Sequence, residues 1–116
     1  MEVQIDQNLN QIIERSNMYY IISMKHTSKI DKYICLWGAD NSGYYTSIEG
    51  AGLYENPIDD YHNSPPDSIP IEKERLDKLT IEVVQKDKTF HCIPNCAAVL
   101  EQLGMKFNRK GDLILK

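Results

Sequence analysis

The chain has no apolar run near the ~18 residues that cross a bilayer. Its first residues, MEVQIDQNLN, carry neither the basic n-region nor the apolar stretch of a secretory signal. Its 3 cysteines are an odd number, and without an export signal they read as free thiols in the cytoplasm of a cell. No Gly-x-x-x-x-Gly-Lys-Ser/Thr, Gly-x-Gly-x-x-Gly or Gly-x-Ser-x-Gly segment occurs. The sequence marks of phosphate loops, dinucleotide folds and hydrolase nucleophile elbows are therefore missing. Lys and Arg number 13 against 17 acids, a net charge of −4. A broad nucleic-acid surface, which works by displacing counterions with clustered cations, does not fit that balance.

What is present suits one small domain. The 116 residues are 41% hydrophobic and 26% charged, ordinary values for a globular chain able to bury a modest core. The charge is unevenly spread. Residues 49–82 hold nine acids (Glu49, Glu55, Asp59, Asp60, Asp67, Glu72, Glu74, Asp77, Glu82) against Lys73, Arg75 and Lys78. Such a segment suits a face that meets a basic partner.

Periodicity predicts the elements. Ile5, Leu9, Ile12 and Ile13 recur at helical spacing after Asp6, so residues 1–17 read as a helical extension. The face at residues 5–16 suits packing or homo-oligomer formation. Met18–Met24 and Tyr33–Trp37 read as strands, the second with Ile34 and Leu36 on one face and Tyr33, Cys35 and Trp37 on the other. Tyr44–Thr46 follows a glycine-bounded turn and completes a β-meander. Ser47 caps a short helical turn, in which Gly50 and Gly52 let the chain lie close to the sheet. Residues 55–70 form a long polar loop, of the kind that is usually functional. A helix over 71–79, strands over 80–84 and 89–93, a helix over 95–103 and a terminal hairpin complete the domain at 18–116. The expected fold is α+β: an antiparallel sheet covered by two or three helices.

The chemistry-bearing residues are sparse. His91, Cys92 and Cys96 could share a metal, but zinc needs three or four ligands and no second Cys pair exists. Cys96, on the stripe with Val99, Leu100 and Leu103, reads as a core residue. No metal, cofactor or catalytic residue is assigned. Trp37 and one of Tyr44 and Tyr45 are expected in the core, and the other tyrosine with Tyr61 and His62 exposed beside the long loop. Asp60 reads as a loop carboxylate whose removal leaves stability within about 0.5 kcal/mol.

Three stretches carry a resemblance. Tyr19-Tyr-Ile-Ile-Ser-Met-Lys-His-Thr27, Tyr33-Ile-Cys-Leu-Trp-Gly-Ala-Asp-Asn-Ser-Gly-Tyr44 and Ala51-Gly-Leu-Tyr54 resemble a family of small uncharacterised bacteriophage and prophage proteins. Ile69-Pro-Ile71 is similar to that family's Ile-Pro-Val, and Val99 stands where many members carry Trp. The resemblance spans about residues 18–103 and implies accessory or counter-defence work in a host cytoplasm.

Two binding surfaces are expected. The first is an acidic face (Glu55, Asp59, Asp60, Tyr61, His62, Asp67, Glu72, Glu74) that binds a host protein, with inhibition of a defence system as its form. The alternative is a pocket of His26, Trp37, Asn41, Tyr44, Tyr45 and His62 that stacks a signalling nucleotide, with Lys25 and Lys29 near its phosphates. No membrane partner is expected.

Overall fold

A computed structural model describes residues 18–116; the helix expected before Met18, and self-association through it, lie outside the described residues. The centre is β1 (Met18–Ser23), which pairs along one edge with β5 (Ser68–Glu72) over five register positions, from Tyr19↔Glu72 to Ser23↔Ser68. Its other edge is shared. β2 (Leu36–Trp37) pairs at Ile22, and β4 (Tyr54–Glu55) pairs at Met18 and Tyr19. β3 (Tyr44–Tyr45) closes the meander through Trp37↔Tyr44 and Leu36↔Tyr45. All pairs are antiparallel.

Alternation along β1 sorts the side chains. Tyr20, Ile22 and Met24 face the main core with Ile34, Leu36, Ile69, Ile71 and Ile93. Two α-helices among the described residues cover that face. α1 (Lys73–Asp77) inserts Leu76, and α2 (Ala97–Leu103) inserts Val99, Leu100 and Leu103. Gly104 stops α2 in the left-handed region at φ 72°, where a side chain is disfavoured. The terminal hairpin, β8 (Met105–Phe107) with β9 (Leu113–Leu115), adds Met105 and Leu113. A separate hairpin, β6 (Ile81–Gln85) with β7 (Lys88–Cys92), turns through Lys86 and Asp87, both at positive φ.

Three expectations need correction. The second strand is regular only at Leu36–Trp37; upstream, Cys35 O still accepts from Ser23 N–H (2.8 Å), but Ile34 donates to Ile93 O (2.9 Å) and Tyr33 bridges Pro94, so the segment is divided between β1 and the chain at 93–94. By contrast, the short turn expected after Ser47 is present: Ala51 N–H donates to Ser47 O (3.1 Å) and Ser47 Oγ accepts from Gly50 N–H (3.2 Å). Both glycines are required there: a Cβ on Gly52 would sit 2.4 Å from Ala39 Cα, and one on Gly50 2.6 Å from the Tyr45 ring. The long loop ends at Ser68, because Ser68–Glu72 is the strand that pairs most fully with β1. Pro70 argues against a strand in sequence, yet an edge strand tolerates it. Cys96 is exposed, since α2 begins after it and its extended backbone takes it off the helical stripe; Cys35 and Cys92 are the buried thiols. Burial, with Asp31 nearby, pushes the Cys35 thiol up to about 11, which removes it as a nucleophile at neutral pH.

Candidate functional site

The second face of the sheet carries Tyr19, Ile21 and Ser23 of β1, and, by register, Trp37, Tyr44, Tyr54, Ser68 and Glu72. Residues 56–67 lie over this face. They begin at Asn56 (φ 48°) and pass through a 3-10 turn at Pro57–Asp59. The chain then turns at Asp60, whose Oδ1 accepts from His62 N–H (2.8 Å). Ser68 Oγ–H donates to His62 O (2.6 Å), tying the loop back to β5.

His62 is the centre of the arrangement and is only 5% exposed. Its Nδ1 lies 2.8 Å from Asp60 Oδ1 and its Nε2 2.9 Å from Asn41 Oδ1. Its ring stacks on Tyr61 (4.2 Å between centroids) and meets Tyr54 (4.6 Å) and the edge of Trp37 (5.1 Å). Trp37 in turn meets Tyr44 edge-on (5.8 Å), and Tyr44 stacks on His26 (3.9 Å). Such offset and edge contacts follow the ring quadrupoles. Asn41, at φ 60°, donates from Nδ2 to Tyr61 Oη (2.5 Å) and from its backbone N–H to Tyr54 Oη (3.0 Å). Tyr54 O–H donates to Gly38 O, and burial holds its pKa above the ordinary phenol value.

The expected ligand set is thus brought together in part. His26, Tyr44, Trp37, His62 and Asn41 form one continuous chain of contacts. Tyr45 does not join it; its ring lies over Gly38 and Gly50. Tyr44 and Tyr45 are both exposed (47% and 42%), and Trp37 is half-buried, so neither tyrosine enters the core as expected. Trp37 is held between rings, but its indole N–H is buried with no acceptor among the described residues.

The expected acidic face does not form a single surface. Glu55 and Glu72 belong to opposite faces of the sheet, because Glu55 pairs Met18 whereas Glu72 pairs Tyr19. Glu74 is exposed on α1, and Asp67 occupies the turn that leads into β5, where its carbonyl accepts from Lys25 N–H (3.0 Å). Asp59, Asp60 and Tyr61 do stay together at the surface of the loop. His62 is corrected from exposed to buried: its two ring nitrogens find polar partners under the loop while its faces find aromatic ones. Tyr54 was missed as a site residue; its place in Ala-Gly-Leu-Tyr, one of the stretches that carry the resemblance, was the available signal.

The chemistry of the cluster is that of a brace. A neutral imidazole carries one proton, so His62 satisfies both oxygens only as an imidazolium, or with the Asn41 amide turned over. Either arrangement occupies both ring nitrogens. His26 Nδ1 lies 2.8 Å from Ser23 Oγ, a base-and-hydroxyl pair in reach of one another, but Ser23 is 1% exposed. Elsewhere, His91 Nδ1 lies 2.6 Å from Glu49 Oε2 and His91 N–H donates to Glu49 Oε1 (2.8 Å). The bonds from His91 hold Glu49 below the usual carboxylate range, and Glu49 holds His91 above the usual imidazole range. No group of three or more His, Cys, Asp or Glu side chains among the described residues is arranged to hold a metal ion. No helix among them is long and apolar enough to cross a membrane.

No protein-family model, curated protein or solved structure matches this chain.

Proposed function

We propose that this chain is a small non-enzymatic binding protein of the phage accessory type. It engages a host protein in the host cytoplasm through the surface around Tyr44, Asp59, Asp60 and Tyr61, and by doing so inhibits a defence component. The observation that carries the reading is the exposure of Tyr61 (63%) and Tyr44 (47%) on a braced support. Asn41 anchors the Tyr61 hydroxyl, and His26 and Trp37 fix the Tyr44 ring. Aromatic side chains held in one place lose little entropy on binding and make the strongest anchors at interfaces. The carboxylates of Asp59 and Asp60 beside them favour a basic partner. The phage resemblance supplies the accessory role.

The test is affinity capture from a bacterial host lysate with the intact chain and with a Tyr44→Ala/Tyr61→Ala variant. The intact chain should retain a partner at low salt and lose it as salt rises, and the variant should not retain it. Equal retention by both, or none by either, would sink the reading.

A nucleotide ligand is the second reading, favoured by the stacked His26–Tyr44 pair, whose tyrosine is exposed. A base could stack on the open side of this pair. Thermal-shift measurements across common nucleotides decide it: saturation at a hundred times the dissociation constant adds about 2.7 kcal/mol. No shift with any nucleotide removes this reading.

A further inference from the structure

The β6–β7 hairpin has two outer edges, and the structure treats them differently. The two-residue turn at Lys86–Asp87, with both φ positive, fixes the ladder. Gln85↔Lys88, Val83↔Phe90 and Ile81↔Cys92 then exchange hydrogen bonds, while Glu82, Val84, Thr89 and His91 point their N–H and C=O groups outward. On β7 the outward groups of His91 are taken. Ile48 N–H donates to His91 O (2.7 Å), and His91 N–H donates to Glu49 Oε1 (2.8 Å). On β6, the outward groups of Glu82 and Val84 have no backbone partner among the described residues. The strand has no proline, lysine or bulge, and Glu82 is its single charged side chain among the devices that protect an edge. It exposes β-branched side chains instead: Val84 is 71% and Ile81 46% exposed.

We propose that β6 is a self-pairing edge, on which a second copy of this chain docks antiparallel about a two-fold axis at Val83. The register follows from the groups that remain. With the axis at Val83, Glu82 stands opposite the copy's Val84 and Val84 opposite the copy's Glu82. All four residues offer outward N–H and C=O groups, so each such pair exchanges both bonds. An axis at Glu82 would set two carboxylates opposite each other, which is unfavourable. An axis at Val84 would bring Glu82 opposite the positive-φ turn at Lys86. At Val83 no like charges are opposed, and one row of the joined sheet reads Phe90, Val83, then the copy's Val83 and Phe90. The contact is isologous, so it closes as a dimer and does not propagate.

Sedimentation equilibrium of the full chain, over roughly 10 μM to 1 mM, reads the association. The chain should form dimers within that range. Val84→Pro should abolish the dimer while leaving the hairpin intact, because it deletes only an outward N–H. Two charge variants test the register. Val84→Glu faces the copy's Glu82 twice over and should weaken the dimer roughly tenfold, whereas Val84→Lys faces the same carboxylate and should tighten it roughly tenfold. A chain monomeric throughout the range would overturn the proposal. So would an unchanged dimer in a folded Val84→Pro chain, or Val84→Glu and Val84→Lys moving the association in the same direction. If Val84→Pro fails to fold, the two charge variants decide alone.

Discussion

β1 reads Met-Tyr-Tyr-Ile-Ile-Ser and β6 reads Ile-Glu-Val-Val-Gln, two runs that β propensity ranks together. In the folded chain Ile21 and Ile22 are fully buried, whereas Ile81 and Val84 are 46% and 71% exposed. The difference lies in the number of neighbours. β1 has β5 along one edge, β2 and β4 along the other, two helices over one face and the 56–67 loop over the other. β6 has β7 and little else. An isolated two-stranded ribbon is marginal in water, so the β6–β7 ribbon depends on its attachment at Ile48, Glu49 and Cys92. Burial here is a property of the sheet order, not of the strand's own letters.

Replacing one residue in each strand should give the largest difference. Ile22→Ala removes a fully buried side chain from the row Leu36–Ile22–Ile69, and should cost about 2–5 kcal/mol in chemical denaturation. Val84→Ala should leave stability within about 0.5 kcal/mol. A costly Val84→Ala together with a tolerated Ile22→Ala would mean that the two strands have been assigned the wrong roles.

The loop over the second face should fall between these extremes. Asp60→Ala removes the acceptor for both His62 N–H and His62 Nδ1 and should cost about 1–2 kcal/mol, more than an ordinary exposed carboxylate. Near-UV circular dichroism should change with it, since Trp37 and the tyrosines sit around His62. A silent Asp60→Ala would show that the loop is held by Ser68 and the rings alone.

Tyr20 offers a smaller effect at the edge of the main core. Its O–H donates to Asp77 Oδ1 (2.6 Å), and burial together with that bond raises the phenol pKa. Tyr20→Phe keeps the ring and should cost about 1 kcal/mol, read as a lower denaturation midpoint with an unchanged slope. A loss as large as that of Ile22→Ala would point to a rearranged α1.

The smallest effect belongs to the hairpin attachment. His91 is raised above its ordinary 6.5, so its contribution is full below that pH and fades as pH rises through the raised value. Glu49 is lowered from 4.5, so its contribution is full above that pH and fades as pH falls through the lowered value. The stability difference between the native chain and Glu49→Gln should therefore be greatest between pH 4.5 and 6.5 and shrink on both sides. A difference that is flat with pH would show that the backbone bond to His91, which Gln can keep, is all that matters.

Much of the fold was legible in the residues themselves. The Tyr/Ile run at Met18–Ser23 and the Val99, Leu100, Leu103 stripe each state a local element, because strand alternation and helical spacing are read over a few neighbours. The site was less legible. Tyr61 is exposed in accord with its loop neighbours, but His62 and Tyr54 take their places from contacts far along the chain, and alternation alone did not leave both Tyr44 and Tyr45 at the surface.

What the sequence alone determined is β1, the two amphipathic helices and the two later hairpins, the glycines at 50 and 52 that permit close approach, and the acidic balance of residues 49–82. Tertiary structure decided the rest. It made Ser68–Glu72 the fullest partner of β1 despite Pro70, divided Glu55 from Glu72 across the sheet, and buried a histidine that local context leaves exposed. The physical reason is the same each time: a residue's propensity is set by its own backbone and side chain, but its burial and hydrogen-bond partners are set by whichever distant strand or loop packs against it.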